Sequence, residues 1–198
     1  TAHAMGINTL DRGADQYGLA LTLGGGEVTL YDMAYAFSVF ANSGVMRGRP
    51  SPLESRRPGF RTFDPTFLLR VEDRAGNILW EYGKGNTFDQ ATVLEPSLAY
   101  LVNDILSDEI SRRPSVGAGS PLLLSRPAAV KTGTTNNFVD NWTIGYTPQI
   151  VTGVWVGNSD NSPMQDMPAI MGAAPIWHAI MEYALQDYPV ETWARPAD

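Results

Sequence analysis

Two periods of apolar residues run through this chain, and the helical one is clearest after Thr29. Leu30, Met33, Ala34, Phe37 and Ala41 recur at helical spacing, and Val39 and Phe40 widen the stripe. Thr29-Leu-Tyr-Asp32 is a capping-box pattern with the aspartate as reciprocal partner. Asn42-Ser43-Gly44 stops the helix, with Gly44 placed at C′. A face this broad belongs in a core, so Met33, Tyr35 and Phe37 are expected to pack. A second helix opens with Pro96 as its first residue. Its pattern predicts Leu98, Leu101, Val102, Ile105 and Leu106 buried, with Asn103, Asp104 and Asp108 wet. A last helix is predicted over 175–185, burying Ile176, Trp177, Ile180 and Leu185.

The strand pattern lies between these helices and beyond them. Residues 67–71 and 78–82 flank Asp73-Arg-Ala-Gly-Asn77 and predict a hairpin by turn chemistry. Residues 141–146 and 150–156 are joined by Thr147-Pro148-Gln149, a turn short enough to force antiparallel pairing. With residues 128–135 they predict a three-stranded meander. The arginine- and proline-rich run 45–66 is expected to be loop, as are residues 111–127. Gly24-Gly25-Gly26 lacks the following lysine of a phosphate loop, so it is expected to be a tight connection whose backbone passes close to neighbours. The tail 189–198, with Pro189 and Pro196, is expected to be a linker.

Bulk composition narrows the function classes. At 198 residues the chain is long enough for one real core. Its net charge of −7 argues against nonspecific nucleic-acid binding. It has no cysteine, which excludes disulfides and thiolate metal sites and fits an extracytoplasmic setting. No apolar run approaches a membrane span. The opening Thr1-Ala-His-Ala-Met-Gly-Ile enters a helix-like pattern without a cap, so a piece of a longer chain is expected. No metal-ligand cluster or cofactor motif stands out, and His3 and His178 are far apart and expected to be incidental. Trp142, Trp155 and Trp177 are expected in the core.

The chemistry concentrates in Ala128-Ala129-Val130-Lys131-Thr132-Gly133-Thr134-Thr135. The strand begins with small or β-branched residues suited to burial and then turns polar without a turn signal. Twelve of the fourteen basic residues are arginine, leaving Lys84 and Lys131 as the lysines. Gly133 has no Cβ, so another backbone can approach. Lys131 sets a cation beside it, and the threonine hydroxyls can donate to a carboxylate or carbonyl. Such a strand can line a groove that reads an anion.

The order of these segments is specific: Leu23-Gly-Gly-Gly-Glu-Val-Thr-Leu30 and a helix, then Lys131-Thr-Gly-Thr-Thr-Asn-Asn-Phe138, Trp142-Thr-Ile-Gly-Tyr-Thr-Pro148, Gly153-Val-Trp-Val-Gly-Asn158 and Ala173-Ala-Pro-Ile-Trp177. This resembles the C-terminal part of the transpeptidase domain of class A penicillin-binding proteins. Leu106-Ser-Asp108 and the run 157–164 are most similar to the 1C branch. The likeness covers nearly the whole chain and loosens over 45–92. It implies an α/β fold of the α+β type, the D,D-peptidase/β-lactamase-like fold, with an antiparallel sheet packed against helices and the N-terminal part lacking. Residues 1–188 would form that domain, with 45–92 a loop and hairpin insert. The implied activity is acyl-serine transfer on peptidoglycan stem peptides, a reaction that β-lactams trap as a stable ester. No cofactor is implied. The implied partners are stem peptides, β-lactams, the rest of the domain and an upstream glycosyltransferase, on an extracytoplasmic, membrane-anchored parent.

Carried over residue by residue, Lys131 would supply positive potential and Thr132 and Thr134 would bind the substrate carboxylate. Gly133 would leave room for the ligand backbone, Thr135 would be a further substrate-binding residue, and Thr134 N–H would be an oxyanion donor. The departures matter as well. No serine here is followed three residues later by lysine, so the nucleophile and its base are not in the chain. Ser159-Asp160-Asn161 spells Ser-x-Asn but follows Lys131-Thr-Gly133, where the family's motif precedes it, so it is expected to be a decoy. The isolated chain is therefore expected to be inactive. Two rivals stay open: a noncatalytic wall-binding or scaffolding module of the same fold, and a serine β-lactamase.

Overall fold

The computed structural model describes residues 1–82 and 89–197, so Lys84, part of the 45–92 insert and Asp198 lie outside the described residues. The chain opens with two single turns, α1 (Ala2–Met5) and α2 (Ala14–Tyr17), and a 3-10 stretch over Gly18–Leu23. The three glycines behave as a tight connection. Gly24 is left-handed at φ +91°, and a Cβ on Gly26 would lie 2.6 Å from Leu10 Cδ2.

The helix α3 (Leu30–Ala41) starts where the pattern predicts, with the Thr29 side chain accepting from Asp32 N at 3.2 Å. Its C-cap is Asn42, so the C′ position expected for Gly44 is held by Ser43, left-handed at φ 53°; Gly44 follows at φ +92°, where a Cβ would lie 2.1 Å from Leu94 O. The reciprocal half of the capping box is not made. Instead Asp32 is buried, and its Oδ2 accepts from Asn8 N (2.8 Å), Thr9 N (3.0 Å) and Thr9 Oγ1 (3.1 Å). Its Oδ1 accepts from Arg61 Nη1 at 2.8 Å. Four donors from distant parts of the chain outcompete one local N–H.

The run 45–66 is not all loop. β1 (Val45–Pro50) pairs antiparallel with β2 (Phe63–Asp64) on one side and β5 (Asp89–Thr92) on the other. Only Met46 and Gly48 of β1 are buried, so the apolar alternation that would have marked a strand is missing from the sequence. The expected hairpin forms as β3 (Arg70–Glu72) and β4 (Ile78–Glu81), with Asp73 accepting from Ala75 N and Asn77 N at its turn.

The helix α4 (Pro96–Ser107) has Pro96 at its start as expected, but its burial is rotated from the prediction. Leu98, Leu101 and Ile105 are 48, 54 and 70 % exposed, while Ala99 and Asn103 are buried. Asn103 can be buried because its amide is satisfied: Nδ2 donates to Phe40 O at 3.0 Å, and Oδ1 accepts from Tyr146 Oη at 2.8 Å. Residues 109–116, expected largely as loop, form α5 (Glu109–Val116), capped by Asp108 and tolerating Pro114 inside.

The meander is present as drawn: β6 (Ala129–Thr134), β7 (Asp140–Tyr146) and β8 (Val151–Gly157), antiparallel in the order β6-β7-β8. α3 covers one face, where Phe37 meets Tyr146 edge-on and Leu30 comes so close that a Cβ on Gly153 would lie 2.9 Å from it. α6 (Ala173–Leu185) covers the other, where a Cβ on Gly145 would lie 2.3 Å from Trp177. Trp177, Met181 and Leu185 pack with Val130 and Val154, whereas Ile176 and Ile180 face outward against expectation. A helix on a single sheet buries one stripe, and the Trp177–Met181–Leu185 stripe takes it.

The tail after α6 folds back. Arg126 Nη1 donates to Tyr188 O and Pro189 O, Gln149 Nε2 donates to Pro189 O, and Trp193 Nε1 donates to Ala41 O at 3.0 Å. The Trp193 ring stands edge-on to Tyr146, whose hydroxyl burial pushes well above its ordinary pKa.

Candidate active-site strand

β6 changes environment halfway, as its composition predicts. Ala129 and Val130 are buried, Lys131, Gly133 and Thr134 are exposed, and Thr132 is half-buried. Among the described residues β6 has a strand neighbour on one side only. Thr135 N donates to Asp140 O at 3.1 Å, which marks those two as a hydrogen-bonded pair. Antiparallel pairs alternate, so Lys131 and Gly133 bond to β7 while Val130, Thr132 and Thr134 turn their N–H and C=O to the free edge. Two side chains already find that edge. Lys131 Nζ donates to Thr132 O at 2.5 Å, and Arg112 Nη1 approaches Val130 O at 3.5 Å.

Gly133 has no internal reason to be glycine. Among the described residues a Cβ there would meet only Trp142 Cβ, at 3.6 Å, an ordinary contact, and its φ is not in the left-handed region. Gly145 and Gly153 of the same sheet, by contrast, are each required by a side chain packed against them. The open space at Gly133 lies outside the chain's own packing.

The hydroxyls divide by task. Thr134 Oγ1 accepts from Ala169 N at 2.9 Å, which leaves its own proton to donate. Thr135 Oγ1 accepts from Asp140 N at 2.7 Å and shapes the turn to β7, where Asn137 and Phe138 are left-handed at φ 60° and 56°. Asp140 also takes Trp155 Nε1 at 2.8 Å. That bond holds Trp155 at the surface, 40 % exposed, where a core position was expected; Trp177 is buried and Trp142 half-buried. Opposite Thr134 in register is Asn141, fully buried, whose Nδ2 donates to Met167 O at 2.7 Å. The segment 158–172 is thereby tied across the end of β6 and β7, with Met164 N donating to Phe138 O as well.

Ser159-Asp160-Asn161 lies in an exposed turn whose bonds are made within itself. Asp160 accepts from Ser162 N and Oγ, an arrangement that holds its carboxyl below the usual range, and Asn161 is left-handed. His3 stacks on Phe60 and bonds Leu10 O, and His178 sits on α6. A surface pocket of about 420 Å³, lined by Asp11, Arg12, Tyr17 and Glu27 among others, shares no residue with β6. Among the described residues no cluster of His, Asp or Glu could hold a metal, and no helix is long and apolar enough to cross a membrane. Sequence patterns missed two neighbours of the strand. Arg112 fell in an expected loop, and Asn141 carries no local signal for its bond to Met167.

No family model matches the chain. Penicillin-binding protein 1A of Aquifex aeolicus is 32% identical over 184 residues, covering 90% of this chain and 22% of that protein. The crystal structure of penicillin-binding protein 1A from Haemophilus influenzae superposes with a TM-score of 0.72 at 22% identity, over 96% of this chain and 31% of that one. Penicillin-binding protein A from M. tuberculosis, solved as its imipenem acyl-enzyme complex, superposes at 0.61 and 17% identity, over 93% of this chain and 41% of that one. The chain spans about a quarter of the length of the curated relatives it matches. The two solved structures establish its fold as the mixed helix and antiparallel-sheet fold of the transpeptidase domain. By its sequence, the chain belongs to the class A penicillin-binding proteins, as a stretch of their transpeptidase domain.

Proposed function

We propose that β6 lines the substrate cleft of a serine-type peptidoglycan D,D-transpeptidase whose nucleophile lies elsewhere in a longer protein. The observation that carries this reading is the free edge at Thr132 and Thr134 beside a glycine the fold itself does not require. A peptide or β-lactam laid along that edge gains main-chain hydrogen bonds as an added strand. Lys131 supplies positive potential to an anionic terminus, and the Thr132 and Thr134 hydroxyls donate to its carboxylate. Thr134 N–H faces the edge and serves as an oxyanion donor, a contribution of about 3–4 kcal/mol to the barrier. Thr135 holds the end of the strand in place, since its N–H and its hydroxyl both serve the turn to β7.

The serine attacks the penultimate D-alanyl carbonyl, the terminal D-alanine leaves as its amine takes a proton, and an amine from a second stem displaces the serine. That serine and its lysine come from outside these 198 residues. The parent is accordingly an extracytoplasmic, membrane-anchored enzyme with an upstream glycosyltransferase, and Leu106-Ser-Asp108 with the 157–164 run favours the 1C branch. In the intact protein, fluorescent penicillin should label the enzyme covalently, and Lys131→Ala should cut the labelling rate by about a hundredfold or more. The 198-residue chain alone should not be labelled; an adduct on it would overturn the assignment of the nucleophile. The absence of a serine followed three residues on by lysine also suits a noncatalytic wall-binding module. Failure of the intact protein to label would favour that module.

A further inference from the structure

Asn141 is a polar side chain with no solvent exposure, one strand away from the exposed reading face of β6. Its register partner is Thr134. One end of its amide is engaged, Nδ2 to Met167 O at 2.7 Å, while Oδ1 is buried with no hydrogen-bond partner among the described residues. The backbone it grips returns two residues later, where Ala169 N donates to Thr134 Oγ1 at 2.9 Å. Packing around this contact is tight: a Cβ on Gly172 would lie 2.5 Å from Asn141 Oδ1. Ala169 is itself buried. A buried amide with only one end paired within the protein costs stability relative to an apolar side chain of the same shape. Core packing alone does not account for it.

We infer that Asn141 is a positioning residue for Thr134, anchoring the 167–169 backbone so that Ala169 N–H fixes the polarity of the Thr134 hydroxyl. A threonine hydroxyl has one proton and two lone pairs and rotates to suit its neighbours. With Ala169 N–H on one lone pair, the proton is directed away from that segment and is held ready to donate at the free edge. A carboxylate there meets a donor already oriented, and binding loses less rotational freedom. The inference rests on the proposed reading of Thr134 as a carboxylate donor.

The test uses the intact protein and two probes, benzylpenicillin and its methyl ester, which lacks the anionic carboxylate. Thr134→Val should slow acylation by the free acid about tenfold or more and the ester much less, since it removes a hydrogen bond to a charged group. Asn141→Leu, matched in shape, and Ala169→Pro, which deletes the N–H donor, should each lower the free-acid rate about fivefold to tenfold and the ester rate less than twofold. In the Thr134→Val background Asn141→Leu should add less than twofold, because its route of action is gone. Thr143→Val, on the same strand, replaces a buried hydroxyl with no partner among the described residues and should leave both rates within twofold. Equal loss with both probes, full additivity with Thr134→Val, or no loss in Asn141→Leu and Ala169→Pro would overturn the inference while the reading of Thr134 stood. An unchanged acid-to-ester ratio in Thr134→Val would overturn that reading itself.

Discussion

Asp32→Asn tests a buried carboxylate that gathers donors from two distant parts of the chain. The carboxylate accepts four hydrogen bonds, from Asn8 N, Thr9 N, Thr9 Oγ1 and Arg61 Nη1, at 2.8–3.1 Å. Both side chains of the Asp32–Arg61 pair are almost wholly buried. An asparagine fills the same volume, but one of its two polar atoms is a donor. Either the guanidinium or the Asn8–Thr9 donors must then face an NH₂ group. Breaking a buried pair from one side costs about 3–5 kcal/mol. Arg61 keeps Asp64 Oδ1 at 3.0 Å and Gly6 O at 2.6 Å and lies against the Tyr35 ring, so the cost sits at the low end for the cation alone. The stranded N–H donors return it to about 4 kcal/mol.

Removing the other partner should cost less. In Arg61→Met the carboxylate retains three donors, all within 3.1 Å. About 3 kcal/mol, the low end of that range, is expected, and the methionine fills part of the space beside Tyr31 and Tyr35. Urea unfolding of the intact protein, followed where its transition is two-state, reads the difference directly. For a domain near this size, 4 kcal/mol corresponds to a Tm lower by roughly 8–16 °C. Asp32→Asn within 1 kcal/mol of wild type, or Arg61→Met the worse of the two, would refute the assignment of Asp32 as the hub joining residues 6–9, α3 and the 45–64 segment.

The two kinds of glycine in the sheet should separate in one experiment. Gly133→Ala should leave the Tm within a degree or two yet slow penicillin acylation about tenfold or more, while Gly145→Ala should cost about 1–3 kcal/mol by overpacking against Trp177; equal stability losses would deny that Gly133 is kept open for a ligand. Trp193→Ala removes an edge-on ring contact and the bond to Ala41 O, so about 2 kcal/mol and faster chymotryptic cleavage after Tyr188 are expected. Unchanged cleavage would mean the tail is held without it. Glu182 accepts from Ser125 N and Oγ, which holds its carboxyl below the usual range. Its folded pKa is depressed, so the stabilisation is fully present above about pH 4.3, the unfolded value, and is lost as pH falls through the folded pKa. The Tm gap between wild type and Glu182→Gln should therefore close on acidification below that point, and a gap independent of pH would reject the attribution.

The legible parts of the sequence are those whose signal is local. Thr29, Gly44 and Pro96 act on their own helix ends, the Asp73–Asn77 turn on its own hairpin, and the half-apolar, half-polar β6 on its own two environments. What failed depends on partners far along the chain. Asp32 looks like a capping partner until Asn8, Thr9 and Arg61 claim it. Asn103 looks solvated until Phe40 O and Tyr146 Oη satisfy it. Periodicity likewise told which side of α4 was apolar, but the fold gave the Ala99–Asn103 side to α3, leaving Leu98, Leu101 and Ile105 outside.

The same distinction explains why the site was half visible. Lys131, Thr132, Gly133 and Thr134 announce themselves because a sheet edge exposes consecutive residues, and exposed residue types are free to be chosen for chemistry. Their supports must be buried to hold them still, and a buried polar residue is recognisable only through the group it satisfies. Asn141, Arg112 and the backbone at Ala169 are each more than 15 positions from the atom they hold or carry no pattern of their own. In the proposed reading of this strand the groups offered to a ligand are therefore written in its own eight residues, while the groups bonded to them are distributed over α5, β7 and the 158–172 segment. A substitution that spares Lys131–Thr134 can still disable the strand, and the Asn141 cycle measures how much of its performance lies in that second set.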